Sequence, residues 1–354
     1  MTTTSPTRSG FSAGPLGLRC TRRAVMATLG VVACAAALAL FAMLSGTLDL
    51  PASRVWATLT GGGTKLERLV VMDYRLSRVL VALLVGFCLG LAGALTQTIT
   101  RNPIATPDIL GVSGGASACA VLVVTQPSLT DGLPGGDLVS WTAIAALVGG
   151  LVTTALILAL SWRGGFDGLR LVLVGIGVNA LAAAVVAWLL VRAELESAAV
   201  ATRWLSGSIE GARMGDAAVL LPASLLCAGI AIVLTGHLGA LRLGRDVAAS
   251  LGTPTGRTEA VAVLAAVVAV SIATAIAGPI AFVAFLAPQA AMRLFGTAGP
   301  PPLAGGLMGA ALMLAADTAS QQLPVALPVG VVTAVIGAPA LLYLLIRYVR
   351  RASV

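Results

Sequence analysis

Residues Ala262–Gly278 read AVLAAVVAVSIATAIAG, a run in which every residue is apolar or small and none is charged. Such a run lacks the polar face that a helix on the surface of a soluble domain carries. A helix needs about 20 mostly apolar residues to cross the hydrocarbon layer of a membrane. The run therefore predicts a membrane-spanning helix, and its lack of alternation argues against a transmembrane β-barrel.

The composition of the whole chain agrees with this prediction. Hydrophobic residues make up 58% of the 354 residues and charged residues 10%, whereas a soluble domain carries about 25% charged residues. We predict an all-α polytopic membrane protein with a basic N-terminal segment (1–23) and a single transmembrane domain (24–350). The apolar runs place ten spans at 24–45, 78–98, 110–126, 141–161, 170–191, 216–236, 259–278, 280–295, 303–322 and 328–348. The first run is too long for the apolar region of a signal peptide, so we expect it to be retained.

The distribution of charge predicts the orientation of these spans. With the N-terminus inside, the inner segments carry fourteen arginines and four acidic residues, and the outer segments carry eight basic and nine acidic residues. Short cytoplasmic loops are enriched in Lys and Arg, so we expect both termini on the cytoplasmic side of the cell membrane. This bias accounts for the net charge of +8. No basic run is interleaved with aromatic residues, and we expect contact with membrane lipid and none with nucleic acid.

Several chemical activities are excluded by missing motifs. Gly111–Ser117 (GVSGGAS) and Gly61–Lys65 (GGGTK) both lack the GxxxxGK[ST] pattern of a phosphate-binding loop. We therefore expect no ATPase activity and no other enzymatic activity from this chain. The five cysteines form no CxxC pair and His237 is the only histidine. We expect no metal site and no cofactor.

One polar stretch and one buried acid stand out from the apolar background. Thr100–Gly115 (TRNPIATPDILGVSGG) contains two prolines that end a helix and an asparagine that can bind the turning backbone. Asp317 is the only acidic residue in the interior of a predicted span, away from its first and last residues. Intramembrane acids usually face a cavity or a partner. With no basic partner evident, we expect Asp317 to join a helix-packing hydrogen-bond network with Thr318 and Ser320.

Three long motifs resemble, in the same order, those of the FecCD family. They are RLSRVLVALLVGFCLGLAGALTQTITRNPIATPDILGVSGGAS (Arg75–Ser117), AIAGPIAFVAFLAP (Ala275–Pro288) and LPVGVVTAVIGAPALLYLLIR (Leu327–Arg347). Members of the family are permease subunits of type II ABC importers for ferric siderophores, haem and cobalamin. The resemblance implies the type II importer permease fold and inward passage of an iron chelate. It also implies three kinds of partner: cytoplasmic ATP-binding subunits, an external substrate-binding protein and a second permease, identical or paralogous.

The resemblance implies three sets of functional residues. Arg75 and Arg78 match the arginines that dock the binding protein, and their spacing leads us to expect that both project outward. The cytoplasmic gate corresponds to Asn102, Ile104, Gly168 and Leu169. The helix that couples to the ATP-binding subunit corresponds to Leu243, Gly244, Arg245, Asp246, Ala248, Leu251 and Gly252. We expect Ala248 and Leu251 to share the face that meets this subunit.

The chain departs from the family pattern at several positions. Gln289 follows Pro288 where the family has His, and Gln321 stands where the family has Arg. Arg245 and Asp246 follow Gly244 in place of the usual Glu, and Ala326 replaces the Glu of Glu-Leu-Pro. The docking surface is therefore expected to have one arginine fewer than usual.

Other functions stay open at this level. A ferric siderophore is the expected cargo, and cobalamin or haem is the alternative. An ion-coupled secondary transporter would show intramembrane charges in matching repeats, and Asp317 alone qualifies. A channel would need a ring of filter residues, which the sequence does not show.

Overall fold

The computed structural model describes residues 10–13, 18–46, 48, 50–130, 138–161, 168–325 and 327–352. Most of the N-terminal segment 1–23 and Ala326 lie outside these ranges. The helices are α1 (Arg22–Leu44), α2 (Ala52–Leu59), α3 (Lys65–Arg68), α4 (Ser77–Ile99), α5 (Val112–Thr125), α6 (Leu138–Ser161), α7 (Gly168–Arg192), α8 (Leu195–Leu205), α9 (Met214–Val233), α10 (Thr235–Leu241), α11 (Arg245–Ser250), α12 (Thr255–Ala277), α13 (Val283–Phe295), α14 (Pro302–Gln322) and α15 (Val329–Ala352). A π-helical segment, Leu69–Leu76, joins α3 to α4, and 3-10 turns form at Pro107–Leu110 and Pro127–Leu129.

The predicted all-α transmembrane architecture is confirmed. An apolar helix lies at each of the ten predicted span positions, and eight helical segments within the described ranges are long and apolar enough to cross a membrane. The other two, α5 and α13, have 14 and 13 residues. A short antiparallel pair of strands, β1 (Gly10–Ala13) and β2 (Leu18–Thr21), precedes α1 and was not predicted.

Helix α4 lies at the centre of the bundle and packs closely on α14. Two Gly-x-x-x-Gly patterns face each other, Gly86 and Gly90 on α4 and Gly305 and Gly309 on α14. A Cβ atom added to Gly86 would lie 2.3 Å from the Gly309 carbonyl oxygen, and one added to Gly90 would lie 2.2 Å from the Gly305 oxygen. Small residues let helix backbones approach closely in a membrane, where packing drives association. The antiparallel register also brings Arg78 opposite Asp317.

Contacts between the connecting segments define two ends of the bundle. At the proximal end, where α1 begins, Arg23 donates hydrogen bonds to the carbonyl oxygens of Arg293 (2.7 Å) and Leu294 (3.0 Å). At the distal end, Ser77 donates to the Ala212 carbonyl at 2.9 Å, where α4 begins. The functional residues expected from the sequence fall into these two groups.

Candidate functional site

Arg75 is buried at the distal end, with 8% of its surface exposed. Its Nη1 donates to the Met43 carbonyl at 2.7 Å and its Nη2 to the Leu48 carbonyl at 2.5 Å. The guanidinium therefore holds the segment that follows α1 against the start of α4. Charged groups are buried at low cost only when hydrogen bonds satisfy them, as they do here.

The expectation that Arg75 and Arg78 project together outward is wrong. Arg75 belongs to the π-helical segment and Arg78 to α4. A π-helix has more residues per turn than an α-helix, so the angle between the two side chains is not that of a continuous α-helix. Arg75 turns toward the segment after α1, whereas Arg78 turns toward α14.

Arg78 forms a two-point ion pair with Asp317, which the sequence did not reveal. Its Nη2 lies 2.9 Å from Asp317 Oδ1 and its Nε lies 3.0 Å from Oδ2. The Asp317 residue is 1% exposed, and the Arg78 side chain is 27% exposed. The expectation that Asp317 lacks a basic partner is therefore wrong, because its partner lies 239 residues away in the chain.

The remaining contacts of Asp317 come from its own helix. Gln321 Nε2 donates to Asp317 Oδ2 at 2.9 Å. Ser320 donates its hydroxyl to the Asp317 carbonyl at 2.7 Å, as part of the expected network, whereas Thr318 bonds to the Leu314 carbonyl instead. Both carboxylate oxygens of Asp317 accept hydrogen bonds, so this buried charge is fully compensated.

Three exposed basic residues at the distal end lie on α2 and α3. Arg54, Lys65 and Arg68 are exposed there. Arg54 lies 3.6 Å from Glu67, whose side chain also accepts a hydrogen bond from the Thr64 backbone N–H. Arg68 donates to the Gly62 carbonyl at 3.0 Å. These side chains, together with the partly exposed Arg78, form a basic surface that we name the distal basic surface (Arg54, Lys65, Arg68 and Arg78).

The loop that follows α4 lies at the proximal end and carries two of the expected gate residues. Arg101 adopts a left-handed backbone, with φ 50°, which is uncommon for a residue other than glycine. Asn102 Oδ1 then accepts a hydrogen bond from the Ile104 backbone N–H at 3.1 Å, as an asparagine in a tight turn commonly does. Ile104 projects an exposed side chain from this turn.

The other two expected gate residues open α7 beside the same loop. A Cβ atom on Gly168 would lie 4.0 Å from the Thr100 carbonyl oxygen. The side chain of Leu169 is exposed. Farther along α7, Asn179 donates to the Asp108 carbonyl at 2.8 Å and ties this loop to the helix. Gly168 and Leu169 thus lie at the same end of the bundle as Asn102 and Ile104.

The expected coupling segment, Leu243–Gly252, forms a shorter helix, α11. Gly244 and Gly252 have φ of 113° and 79°, and they bound the helix on either side. Ala248 is fully buried, so the expectation that it shares the partner-facing surface with Leu251 is wrong. The exposed apolar side chains are Leu243, Val247 and Leu251. Val247 and Leu251 are four residues apart and lie along one side of α11, and Leu243 precedes the helix. We name these three exposed side chains the α11 ridge.

An acidic residue missed by the sequence analysis faces this segment. Arg245 Nη2 lies 3.6 Å from Glu259 Oε2, and Glu259 is buried near the start of α12. Arg101, beside the expected gate residue Asn102, is a second positive charge acting on Glu259. Nearby, burial lowers the pKa of the Arg242 guanidinium below its ordinary value, and this group donates to the Pro300 carbonyl. Arg245 in the α11 segment therefore pairs with α12, and Arg242, just before that segment, binds the segment after α13.

Two buried glutamines at the same end were also missed as functional candidates. Gln289 on α13 donates to Gln97 on α4 and to the carbonyl oxygen of Pro103, which lies between the expected gate residues Asn102 and Ile104. Sequence analysis singled out Gln289 only as a departure from a family pattern. Among the described residues, no three His, Cys, Asp or Glu side chains gather as ligands for a metal ion.

Known proteins place this arrangement in a family. The FecCD transport family matches residues 33–347. The ferric enterobactin transport system permease protein FepG of Escherichia coli (strain K12) is 39% identical over 332 residues, covering 93% of this chain and 98% of that protein. The iron(3+)-hydroxamate import system permease protein FhuG of Bacillus subtilis (strain 168) is 33% identical over 307 residues, covering 85% and 91%.

A cobalamin protein and a solved structure extend the comparison. The cobalamin import system permease protein BtuC of Halobacterium salinarum (strain ATCC 700922 / JCM 11081 / NRC-1) is 32% identical, covering 86% of this chain and 81% of that protein. A metal-chelate type ABC transporter solved in an inward-facing conformation superposes with a TM-score of 0.77 at 25% identity, covering 91% of this chain and 99% of that chain. The match extends over nearly the whole bundle and confirms the resemblance carried by the three motifs. The chain is a multi-pass membrane protein and belongs to the FecCD transport family.

Proposed function

We propose that this chain is the permease subunit of an ATP-driven importer that carries a ferric siderophore inward across the cytoplasmic membrane. The observation that carries the proposal is the 39% identity, over 93% of this chain, to a permease of ferric enterobactin transport. The 33% identity to a permease of iron(3+)-hydroxamate import supports the same cargo class. The iron chelate is cargo, and this chain performs no covalent chemistry on it.

The proximal end faces the cytoplasm in this proposal. It carries Arg23, Arg101, Arg242, Arg245 and Arg293, as the enrichment of basic residues on the cytoplasmic side leads us to expect. The α11 ridge is the contact for a separate ATP-binding subunit, because it offers exposed apolar side chains beside the charged Arg245 and Asp246. ATP binding and hydrolysis on that subunit would shift the permease between outward- and inward-open states.

The distal end receives an external substrate-binding protein. The distal basic surface suits acidic patches on such a partner, since complementary charge steers encounter and fixes orientation. Arg75 and Arg78 stay within this proposal as residues that shape the docking region: Arg75 through the segment it anchors, and Arg78 through its partly exposed guanidinium.

The pathway for a bulky cargo would lie against a second permease subunit, identical or paralogous. In α7, 17% of the apolar membrane-spanning stretch is buried inside this chain, and in α15 the buried share is 28%. These faces are apolar and therefore suit lipid, a second permease, or a cargo that must pass without binding tightly. At the proximal end, Asn102, Ile104, Gly168 and Leu169 would form the gate through which the cargo leaves.

The hydrogen bonds of Asp317 argue against transport coupled to an ion gradient. That mechanism would depend on Asp317, the one acid in the interior of a predicted span, away from its first and last residues. Both of its oxygens accept hydrogen bonds, from Arg78 and from Gln321. A carboxylate whose two oxygens are both engaged by neighbouring side chains joins two helices, which is a poor arrangement for a proton relay. Cobalamin stays the alternative cargo, because a cobalamin permease is 32% identical to this chain.

Reconstitution tests the proposal directly. The chain, its ATP-binding subunits and its binding protein would be assembled in proteoliposomes and supplied with radiolabelled ferric enterobactin, a ferric hydroxamate, cobalamin or haem. We expect ATP-dependent accumulation of a ferric siderophore, and none when the ATP-binding subunit lacks its phosphate-binding lysine. Uptake of cobalamin or haem alone would reassign the cargo. Uptake driven by a proton gradient without ATP would overturn the importer class.

A further inference from the structure

Gln97 and Gln289 are polar side chains buried in the apolar interior of the bundle. Gln97 is 2% exposed and Gln289 is 4% exposed. An amide buried without partners costs free energy, because it loses its hydrogen bonds to water. Their partners therefore show which parts of the chain these two residues hold together.

The amide of Gln289 uses both of its donor positions. Its Nε2 lies 2.8 Å from Gln97 Oε1 on α4 and 3.0 Å from the carbonyl oxygen of Pro103. Gln97 Nε2 in turn donates to the Phe285 carbonyl on α13 at 3.2 Å. One side chain on α13 thus binds both the end of α4 and the loop that follows it.

The bonded carbonyl belongs to the residue between two gate residues. Pro103 lies between Asn102 and Ile104 and has no backbone N–H of its own. Its carbonyl is therefore the one main-chain hydrogen-bonding group at this position. The bond from Gln289 sets how far the Asn102–Ile104 turn lies from α13.

The distance between α4 and α13 is itself tightly set. A Cβ atom on Gly93 would lie 1.8 Å from the Ala284 carbonyl oxygen, so the two helices touch through their backbones. Pro288 lacks the N–H that would bond to this carbonyl within α13. The close contact leaves Gln97 and Gln289 little freedom to separate while the helices stay packed.

We infer that Gln289, supported by Gln97, is a positioning residue for the cytoplasmic gate. It ties the Asn102–Ile104 turn to α13, so that the turn moves with α13 and not independently of it. This inference rests on the proposed function, because it treats the turn as part of a transport gate. A loop released from α13 would sample open positions and would uncouple ATP hydrolysis from uptake.

The first test measures the position of the turn without any cargo. Ile104→Cys, in a chain whose native cysteines are replaced, reports its accessibility through the rate of reaction with a maleimide in inverted vesicles. Gln289→Met removes both donors and keeps a similar volume. We expect it to change the labelling rate by about tenfold, the population shift that corresponds to loss of the one bond that ties the turn to α13, the bond to the Pro103 carbonyl. Gln289→His keeps an N–H donor and is expected to stay within about threefold of the parent.

A matched control separates positioning from general destabilisation. Thr98 is buried on α4 next to Gln97, but its hydroxyl donates to the Ala94 carbonyl within the same helix at 2.8 Å. Adding Thr98→Val to the Ile104→Cys chain is expected to leave the labelling rate unchanged. An equal effect of Thr98→Val and Gln289→Met would overturn the inference. If Gln289→Met does not fold, Gln97→Met serves in its place, because it removes the acceptor that orients Gln289.

The second test measures uptake per ATP hydrolysed by the whole complex in proteoliposomes. We expect Gln289→Met to lower this ratio by about tenfold with ATP hydrolysis retained, and Gln289→His to restore most of it. An unchanged ratio together with an unchanged labelling rate would overturn the inference. Failure of the parent complex to import any iron chelate would count against the proposed function alone, since the labelling test needs no cargo.

Discussion

Arg78 and Asp317 show how a single pair of residues can join two helices that are far apart in the sequence. The two charges lie 239 residues apart in the chain and 2.9 Å apart in the structure. Neither position could be paired from sequence alone, because the register of α4 on α14 depends on where the facing glycines touch. The sequence did indicate that an intramembrane acid needs a special environment.

Removal of one partner tests the energetic role of this pair. We expect Arg78→Met to lower the free energy of unfolding by about 3–5 kcal/mol, because it leaves Asp317 charged, buried and without its cation. The double variant Arg78→Met/Asp317→Leu is expected to recover most of this loss. Thermal unfolding of the detergent-purified chain measures both, with Gln321→Met as the control for a neutral contact. A double variant as unstable as Arg78→Met would contradict this role.

The same double variant tests docking separately from folding. If Arg78 also contacts the binding protein, Arg78→Met/Asp317→Leu should fold normally and bind that protein more weakly. The difference from the parent should be largest at low salt, since contacts between exposed charges are screened by ions. Binding can be measured by surface capture of the permease in nanodiscs. Equal affinity at low ionic strength would limit Arg78 to its internal pair with Asp317.

Among the secondary-structure elements, the long helices were predictable, whereas for the expected coupling helix the position was predicted but not its ends or its buried side. Runs of apolar residues are sufficient to place a span, because a helix is one of the few structures that satisfies its own backbone in lipid. The length of α11 depends instead on two glycines with positive φ, Gly244 and Gly252. Their conformation shortens the helix and turns Ala248 inward, which sequence spacing could not show.

The corrected orientation of α11 changes which substitution should uncouple the transporter. We expect Val247→Glu on the α11 ridge to abolish stimulation of the ATP-binding subunit with normal expression, because it places a charge in an apolar contact. Ala249→Glu, exposed on the opposite side of the same helix, is the matched control. Ala248→Glu is expected to impair folding instead, since Ala248 is fully buried. Co-purification and ATPase assays distinguish these outcomes, and full stimulation by Val247→Glu would place the contact elsewhere.

The close contact between α4 and α14 leads to a prediction about the stability of the helix bundle. Gly90→Ala should destabilise the chain by about 1–3 kcal/mol, the usual cost of overpacking, because the new methyl group would lie 2.2 Å from the Gly305 oxygen. Gly229→Ala on α9 is the control, since a Cβ atom there meets nothing within 4 Å. Thermal unfolding compares the two variants, and equal melting temperatures would show that the helices can separate without loss.

For the whole molecule, the sequence predicts which end of the bundle faces the cytoplasm, and the internal contacts of the fold do not determine this orientation. A helical bundle has the same internal contacts whichever way it lies in the membrane, so the choice rests on the loops. Basic residues are retained on the cytoplasmic side during insertion. The fourteen arginines assigned to the inner segments, against four acids, are the basis of this orientation.

Two exposed positions at opposite ends of the bundle test this orientation. Ser250 lies on α11 at the proximal end, and Thr60 follows α2 at the distal end. In a chain without native cysteines, Ser250→Cys should react with a membrane-impermeant maleimide only in inverted vesicles. Thr60→Cys should react only in intact, wall-stripped cells. The opposite pattern would place the α11 ridge outside, beyond the reach of any cytoplasmic ATP-binding subunit, and would remove the physical basis for driving this permease with ATP.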